Sequence, residues 1–161
     1  MIATGCLNIR QAVRALDMKI FLLIGAAFTM SKALQGTGGA QFLAQQTVDV
    51  FLPMGNMALI AAMFLMIATM TNIISNSATA LIFAPIALSV AEQTGIDPMV
   101  MILTVVFAAN CSFATPIAYQ TNLLVMGPGR YKFKDFMKFG IPLVLIIWLT
   151  FCAMLPFMFN V

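Results

Sequence analysis

The sequence predicts an all-α integral membrane protein with several membrane segments, and three observations support this fold class. Hydrophobic residues make up 62% of the 161 residues and charged residues 8%, compared with roughly 45–50% and about 25% in soluble domains. Long uncharged runs separate the few charges, at 50–91, 98–129 and 139–161. The first two runs are too long for one untilted membrane helix, and both carry polar residues near the middle. The chain is therefore expected to form about four or five membrane segments.

The composition also excludes several kinds of functional site. The chain has no His, so metal sites built on His and the usual Ser or Cys triads are excluded. Its three cysteines, Cys6, Cys111 and Cys152, have neither zinc-ligand spacing nor an even count. The net charge of +3 is too small for a nucleic-acid footprint, and the basic, aromatic segment 130–134 fits a lipid-facing loop better. We expect neither an enzyme nor a nucleic-acid partner.

Residues 1–51 are predicted to form a basic surface helix, one membrane helix and an interfacial helix. The segment around Arg10 and Arg14 is typical of a short helix lying on a membrane surface. The apolar stretch 18–35 is barely long enough to span, and a glycine cluster at 36–39 ends it. A third helix follows, with glutamines opposite an apolar face that places it in the interface plane. That face consists of Ala40, Leu43, Ala44, Thr47, Val48 and Phe51.

The placement of charges predicts a re-entrant hairpin over residues 52–91. Positive segments face the cytoplasm, which places both Arg10–Lys19 and Arg130–Lys138 there and the loop Glu92–Asp97 outside. Residues 50–91 must then leave from and return to the outer face. The predicted second arm, 78–91, is about 21 Å long at 1.5 Å per residue, which is short of a ~30 Å membrane core. In the cell (plasma or inner) membrane, the N-terminus is expected to be cytoplasmic and the C-terminus outside.

The predicted hairpin tip, residues 71–79, is the most polar stretch of its uncharged run. Non-helical backbone persists at membrane depth only where protein or a water-filled cavity satisfies its polar groups. A second interruption lies in 98–127, where Pro116 frees carbonyl groups of the preceding turn. Polar residues flank this proline, namely Asn110, Ser112, Thr115, Gln120, Thr121 and Asn122. Their density favours a broken helix over a simple kink, and the final apolar run predicts a last membrane helix over 139–160.

Two polar interruptions that meet near the membrane midplane are typical of secondary transporters with discontinuous helices. The N-termini of half-helices attract anions, and unwound carbonyl groups suit sodium. Every Asp and Glu lies at a membrane edge, so a relay of buried acids is not expected. Hydroxyl, amide and carbonyl groups can ligate Na⁺ and hydrogen-bond an oxyanion. Ser75 and Ser77 could instead bond only to carbonyls within a helix.

The residues at both interruptions resemble those of a known family. Residues 75–80, Ser-Asn-Ser-Ala-Thr-Ala, followed by Phe-Ala-Pro-Ile-Ala at 83–87, resemble the second Ser-Asn-Thr signature of the divalent-anion/sodium symporters, which carry sulfate, dicarboxylates or citrate. Residues 112–122, followed by Gly-Pro-Gly at 127–129, resemble the family's broken tenth helix. The likeness runs along nearly the whole chain. It is closest to the branch that inserts regulatory domains between its two halves.

The resemblance implies the second half of an inverted-repeat, elevator-like symporter, with 52–161 as its transport-site region. It implies a sodium site formed by Thr71, Ser75, Asn76 and the carbonyl groups of Ala114 and Pro116. It implies an anion site formed by Asn76, Ser77, Thr121 and Asn122. Ser77 stands where the signature has Thr, and Gln120-Thr121 stands where the family usually has Pro-Pro.

The resemblance covers only the C-terminal part of such a transporter, and the first repeat with its own signature is missing. The expected partners are therefore an N-terminal half, the lipid bilayer and an inorganic or carboxylate anion, with a homodimer implied at the family level. Na⁺ is the coupling ion, and no other cofactor is expected. Two classes of function stay open. One is the C-terminal portion of a Na⁺-coupled anion symporter; the other is a non-transporting membrane module, a truncated fragment or a channel-type half subunit.

Overall fold

The computed structural model describes Leu22, Gly25, Ala26, Thr29, Lys32–Leu34 and residues 36–158, and every regular element in this part of the chain is a helix. The all-α prediction is confirmed at this level. The predicted basic surface helix and most of the predicted membrane helix at 18–35 lie outside the described residues. The elements are α1 (Gly39–Phe51), a 3-10 helix (Leu52–Met54), α2 (Asn56–Thr71), α3 (Asn76–Thr94), α4 (Pro98–Ala109), α5 (Gln120–Met126) and α6 (Phe133–Met158).

Helix α1 corresponds to the amphipathic helix that the sequence predicts. It begins after Gly38, whose φ of 73° places it in the left-handed region that glycine tolerates. The helix packs most extensively against α3. Its buried residues belong to the predicted apolar face, although Leu43 of that face is exposed; they are Ala40, Ala44, Thr47 and Val48. The location of α1 in the membrane interface stays a prediction.

Helices α2 and α3 are joined by a four-residue turn, 72–75, that we call the tip. The second arm is longer than the predicted 78–91. Helix α3 comprises 19 residues, or about 28 Å, because its first turn includes Asn76 and it ends only at Gly95, in the left-handed conformation that closes helices. The shortness of the second arm therefore no longer supports a re-entrant path, which stays a prediction.

The predicted broken helix corresponds to α4 and α5, separated by residues 110–119, which we call the break. Helix α4 begins at Pro98, whose ring suits the first helical position. The Asp97 carboxylate accepts a hydrogen bond from the Met99 amide at 2.8 Å and caps the helix. Helix α5 resumes at Gln120, so the polar residues Thr121 and Asn122 lie in its first turn.

The last helix, α6, begins at Phe133, six residues before the predicted start, and it is the one helix of the described part that is long and apolar enough to cross a membrane. The predicted basic loop is therefore partly helical. The reason is a capping contact in which the Lys132 amide donates to Oδ2 of Asp135 at 2.7 Å. The division into regions 1–51 and 52–161 stays a prediction.

The buried core lies among α1, α2, α3 and α4, and α6 packs on its side. Trp148 of α6 donates from Nε1 to the carbonyl oxygen of Ala61 in α2 at 3.0 Å. The ring of Phe151 lies 5.0 Å from that of Phe64 and 5.7 Å from that of Phe107, measured between centroids. These contacts hold α6 against α2 and α4, and they bring its first half alongside the break.

Candidate functional site

The tip brings together the last residue of α2 and the first residue of α3. The hydroxyl oxygen of Thr71 lies 3.0 Å from Oδ1 of Asn76, and these are two of the residues predicted to bind sodium. The same Thr71 hydroxyl lies 2.7 Å from the carbonyl oxygen of Ala109, the last residue of α4. Thr71 is fully buried. The Thr71 hydroxyl thus connects the first residue of α3, which borders the tip, with the last residue of α4, which borders the break.

The oxygen atoms of Ala109 and Asn76 both lie within hydrogen-bond distance of Oγ1 of Thr71, which has one proton to donate. A threonine hydroxyl has one proton and two lone pairs, so it can donate to Ala109 or to Asn76 but not fully to both. When the proton is on the Ala109 side, Oγ1 of Thr71 and Oδ1 of Asn76 face each other as two acceptors. Two acceptors this close to each other are stabilised by a proton or a cation between them. The arrangement can therefore accept a cation.

The N-terminus of α3 supplies the other feature of the tip. Ser75 is the N-cap of α3, and its Oγ accepts a long hydrogen bond, 3.4 Å, from the amide of Ala78. Within the described ranges, the amides of Asn76 and Ser77 have no hydrogen-bond acceptor. Uncapped amides and the helix dipole give this end of α3 a partial positive charge. Ser77 and Ser75 are exposed, whereas Asn76 is half-buried.

The conformation of the break is stabilised by Asn122. Because Pro116 has no amide hydrogen, the carbonyl of Ser112 lacks the donor that a continuous helix would provide. The Asn122 side-chain amide replaces it and donates to the carbonyls of Ser112 at 2.9 Å and Thr115 at 3.1 Å. Asn122 was predicted to face the anion, and the structure engages its amide nitrogen within the break. Thr121 is an exposed residue in the same turn.

Asn72 also joins the tip to the break, and the sequence analysis did not assign it to the site. Its Nδ2 donates to the carbonyl of Cys111 at 2.9 Å, and its Oδ1 accepts from the amide of Ala114 at 2.8 Å. Its main-chain carbonyl accepts a hydrogen bond from the Thr115 hydroxyl at 2.6 Å. The feature of the sequence that could have identified Asn72 is an asparagine directly after Thr71 in the polar stretch.

Two of the predicted sodium ligands are main-chain carbonyls of the break, those of Ala114 and Pro116, and both residues are buried. The carbonyl that the structure places at Thr71 is instead that of Ala109. Helix α4 ends at Ala109, so this carbonyl has no amide from the following turn and is free to face the tip. The sodium-binding roles of Ala114 and Pro116 stay predictions.

Two cavities flank the break. One of about 360 Å³ lies between α2, the break and α6, and its polar lining comes from Asn72, Thr69 and Thr115. The other, of about 320 Å³, lies beside the N-terminal part of α6 and is lined by Asn122, Asp135 and several aromatic rings. The break therefore has open space on two sides, and a cavity is one of the two settings in which non-helical backbone is tolerated at membrane depth.

Comparison with known proteins identifies the family. A family model described as Citrate transporter matches residues 1–161 of the chain. The chain belongs to the citrate transporter family. The predicted resemblance is thereby confirmed, because relatives of the chain include sodium/sulfate and sodium-dependent dicarboxylate transporters. These relatives are named as transporters, not as enzymes.

Three relatives show how this member of the citrate transporter family compares with curated proteins. An uncharacterized transporter of Synechocystis is 35% identical over 150 residues, which are 93% of this chain and 24% of the relative. Sodium/sulfate cotransporter 1 of Chlamydomonas reinhardtii is 32% identical over 95% of this chain and 17% of its own length. A sodium-dependent dicarboxylate transporter of Staphylococcus saprophyticus is 22% identical over 81% and 25%, respectively. The chain thus spans a quarter or less of these relatives.

Proposed function

We propose that this chain is the C-terminal, site-forming portion of a secondary transporter that couples Na⁺ entry to the uptake of a divalent anion. The observation that carries the proposal is the contact of the buried Thr71 hydroxyl with Asn76 on one side and Ala109 on the other. It joins the two polar interruptions of the chain at one point. Family membership supports transport, and the geometry supports an ion site at the junction.

In this proposal, sodium binds where the tip meets the break. Oγ1 of Thr71 and Oδ1 of Asn76 supply two neutral oxygen ligands that are already 3.0 Å apart. Carbonyl groups of the break, with those of Ala114 and Pro116 as candidates, complete the shell. Ser75 joins the shell by releasing its long capping bond to Ala78. Neutral oxygens suit a monovalent cation, since two carboxylates would give the empty site an uncompensated charge.

The anion is proposed to bind at the N-terminus of α3, next to the sodium. The amides of Asn76 and Ser77 and the exposed Ser77 hydroxyl provide donors there, and a helix N-terminus favours negative charge. The sodium ion then offsets part of the anion's charge in a site of low dielectric. Sulfate is the first substrate to test, because a relative named for sulfate is 32% identical and one named for dicarboxylates 22%. Thr121 is assigned to the same substrate side.

The complete site needs a second set of ligands. We propose that an N-terminal half with the first repeat supplies them, that the assembly lies in the cell membrane with the N-terminus of this chain cytoplasmic, and that it forms homodimers. Inward sodium movement would provide about 2.3 kcal/mol per charge per 100 mV, in addition to the sodium gradient. That energy is available to concentrate an anion against its own gradient.

Uptake into liposomes tests this function. The complete protein that contains this sequence is reconstituted, and labelled sulfate is supplied with an inward gradient of either sodium or potassium. We expect uptake with sodium and none with potassium, and we expect Asn76→Ala to abolish it. Asn110→Ala is the matched control, because Asn110 is exposed and its side chain bonds only to the Val106 carbonyl in the adjacent helix α4. Labelled citrate and succinate identify the substrate class in the same assay.

Three results would refute the proposal. Uptake that is independent of sodium and does not saturate would indicate a channel. The absence of uptake for all three anions would indicate a membrane module that does not transport. Uptake that survives Asn76→Ala would place the ion site elsewhere.

A further inference from the structure

We infer that Asn72 is a positioning residue for the ion site: it fixes the break against the tip, so that the carbonyls of the break keep one position relative to Thr71 and Asn76. This inference rests on the proposed function. The side chain of Asn72 is not offered as a ligand of the ion. Its amide group instead determines where main-chain ligands can be.

Both donors and the acceptor oxygen of the Asn72 side chain are engaged in hydrogen bonds. A primary amide has two N–H donors and one carbonyl acceptor. Asn72 donates to the carbonyls of Ala68 at 2.7 Å and Cys111 at 2.9 Å, and it accepts from the amide of Ala114 at 2.8 Å. The residue is 8% exposed. A buried amide with both donors and its oxygen engaged has a single orientation, so it can define the distance between two segments.

The hydrogen bonds of Asn72 connect the tip to the break. Cys111 and Ala114 belong to the break, and both bonds reach across 39 or more residues of sequence. The main-chain carbonyl of Asn72 adds a third bond, from the Thr115 hydroxyl. Thr71, the preceding residue, contacts Ala109 just before the break. Two consecutive residues therefore hold the chain from Ala109 to Thr115, the first half of the segment that would supply sodium with carbonyl ligands.

No other side chain of similar size makes this set of bonds. A leucine at position 72 would leave the Ala114 amide and the Cys111 carbonyl without partners. An ionised aspartate would keep the acceptor for Ala114 but would direct its second oxygen toward the carbonyls of Ala68 and Cys111. A protonated aspartic acid could donate to one of these carbonyls while accepting from Ala114. The Asn72→Asp variant should therefore hold the break in its protonated form only.

The test compares Asn72→Asp with Asn110→Asp in the complete protein. Asn110 is a matched control because its Nδ2 also donates to the carbonyl four residues earlier, at 2.7 Å, but makes no bond across to another element. Sodium binding is measured as the NaCl concentration that half-maximally slows hydrogen exchange of peptides from the tip, with KCl holding ionic strength constant. Exchange of the Ala114 amide is followed in the same samples without sodium.

We expect Asn72→Asp to raise the half-maximal sodium concentration by roughly tenfold or more at mildly alkaline pH, because the bridging bond to the Cys111 carbonyl is lost and a carboxylate oxygen repels that carbonyl instead. We expect most of this loss to be recovered at mildly acidic pH. The Ala114 amide should exchange faster than in the unmodified protein at the same alkaline pH, because repulsion of the Cys111 carbonyl displaces the break from the acceptor at residue 72. Asn110→Asp and the unmodified protein should show neither the loss nor the pH dependence. Asn72→Leu should resemble the alkaline form of Asn72→Asp at every pH.

The outcomes separate this inference from the proposed function. Unchanged sodium binding or unchanged Ala114 exchange in Asn72→Asp would overturn the positioning role and leave the symporter proposal intact. Tighter sodium binding in Asn72→Asp would show that the side chain faces the ion directly, which also overturns it. If the unmodified protein shows no effect of sodium on exchange, the ion site itself is refuted, whatever happens at Ala114.

Discussion

Gly140 of α6 lies directly against the main chain of Phe113 in the break, with no room for a side chain between them. A Cβ at Gly140 would overlap the carbonyl group of Phe113 and would lie 2.6 Å from the Cα of Ala114. Gly140 is buried. The break is therefore supported on one side by Asn72 of the tip and on the other by the backbone of α6.

Replacement of Gly140 by alanine is expected to destabilise the protein and to disturb the break. Overpacking of a tight contact costs about 1–3 kcal/mol, and here the contacting atoms are main-chain atoms that cannot rotate away. Thermal unfolding of the purified protein in detergent measures the effect. Gly127→Ala is the control, because a Cβ at Gly127 has open space and the residue has a φ of −66°. Equal melting temperatures for the two variants would contradict the close contact.

Two fully buried threonines near the tip are expected to respond differently to valine. Thr71→Val removes the hydroxyl that bonds Ala109 and Asn76, which should destabilise the protein by about 1–3 kcal/mol. Thr79→Val should be neutral or stabilising, because the Thr79 hydroxyl is the one buried side-chain polar atom of the described part that lacks a partner. Denaturation of both variants in the same detergent compares them. A larger loss for Thr79→Val than for Thr71→Val would contradict this assignment.

The break is expected to open when Asn122 is replaced by aspartate. The carboxylate would face the carbonyls of Ser112 and Thr115 and would repel them instead of donating to them. Hydrogen exchange across residues 110–119 should accelerate. Gln120→Glu is the control, because it adds the same charge to the same turn of α5 at an exposed residue. Equal acceleration of exchange in both variants would show that the added negative charge opens the break, and not the loss of these two bonds.

One side-chain hydrogen bond contributes to the attachment of α6 to α2, and its contribution can be tested directly. Trp148→Phe keeps an aromatic ring but removes the donor to the Ala61 carbonyl. We expect a loss of about 1 kcal/mol in stability and a lower melting temperature, measured by a method that does not use tryptophan fluorescence. Phe157→Leu, at a residue that is 91% exposed, should have no effect in detergent. A melting temperature unchanged by Trp148→Phe would mean that the aromatic contacts of Phe151 suffice.

Two differences between prediction and structure concern the ends of helices. The apolar pattern of the sequence predicts Asn76 and Ser77 in the turn and the residues before 139 in a loop, because polar and charged residues interrupt that pattern. In the structure, Ser75 and Asp135 act as capping residues and allow helices to begin earlier. A cap extends a helix into polar sequence by satisfying amides that would otherwise be unpaired. Hydrophobicity alone does not contain that information.

The class of the protein, the positions of its two polar interruptions and its family can be read from the amino-acid sequence. Those features follow from local chemistry: a chain with few charges requires an apolar environment, and Pro116 removes a donor wherever it stands. The tertiary structure alone decided that Ala109 meets Thr71, that Asn72 bridges to the break and that Gly140 supports it. These contacts join residues far apart in the chain, 38 to 43 positions for those of Thr71 and Asn72. One atom of each of these pairs belongs to the main chain, which every residue has, so only the packing of α2, α4 and α6 could select them.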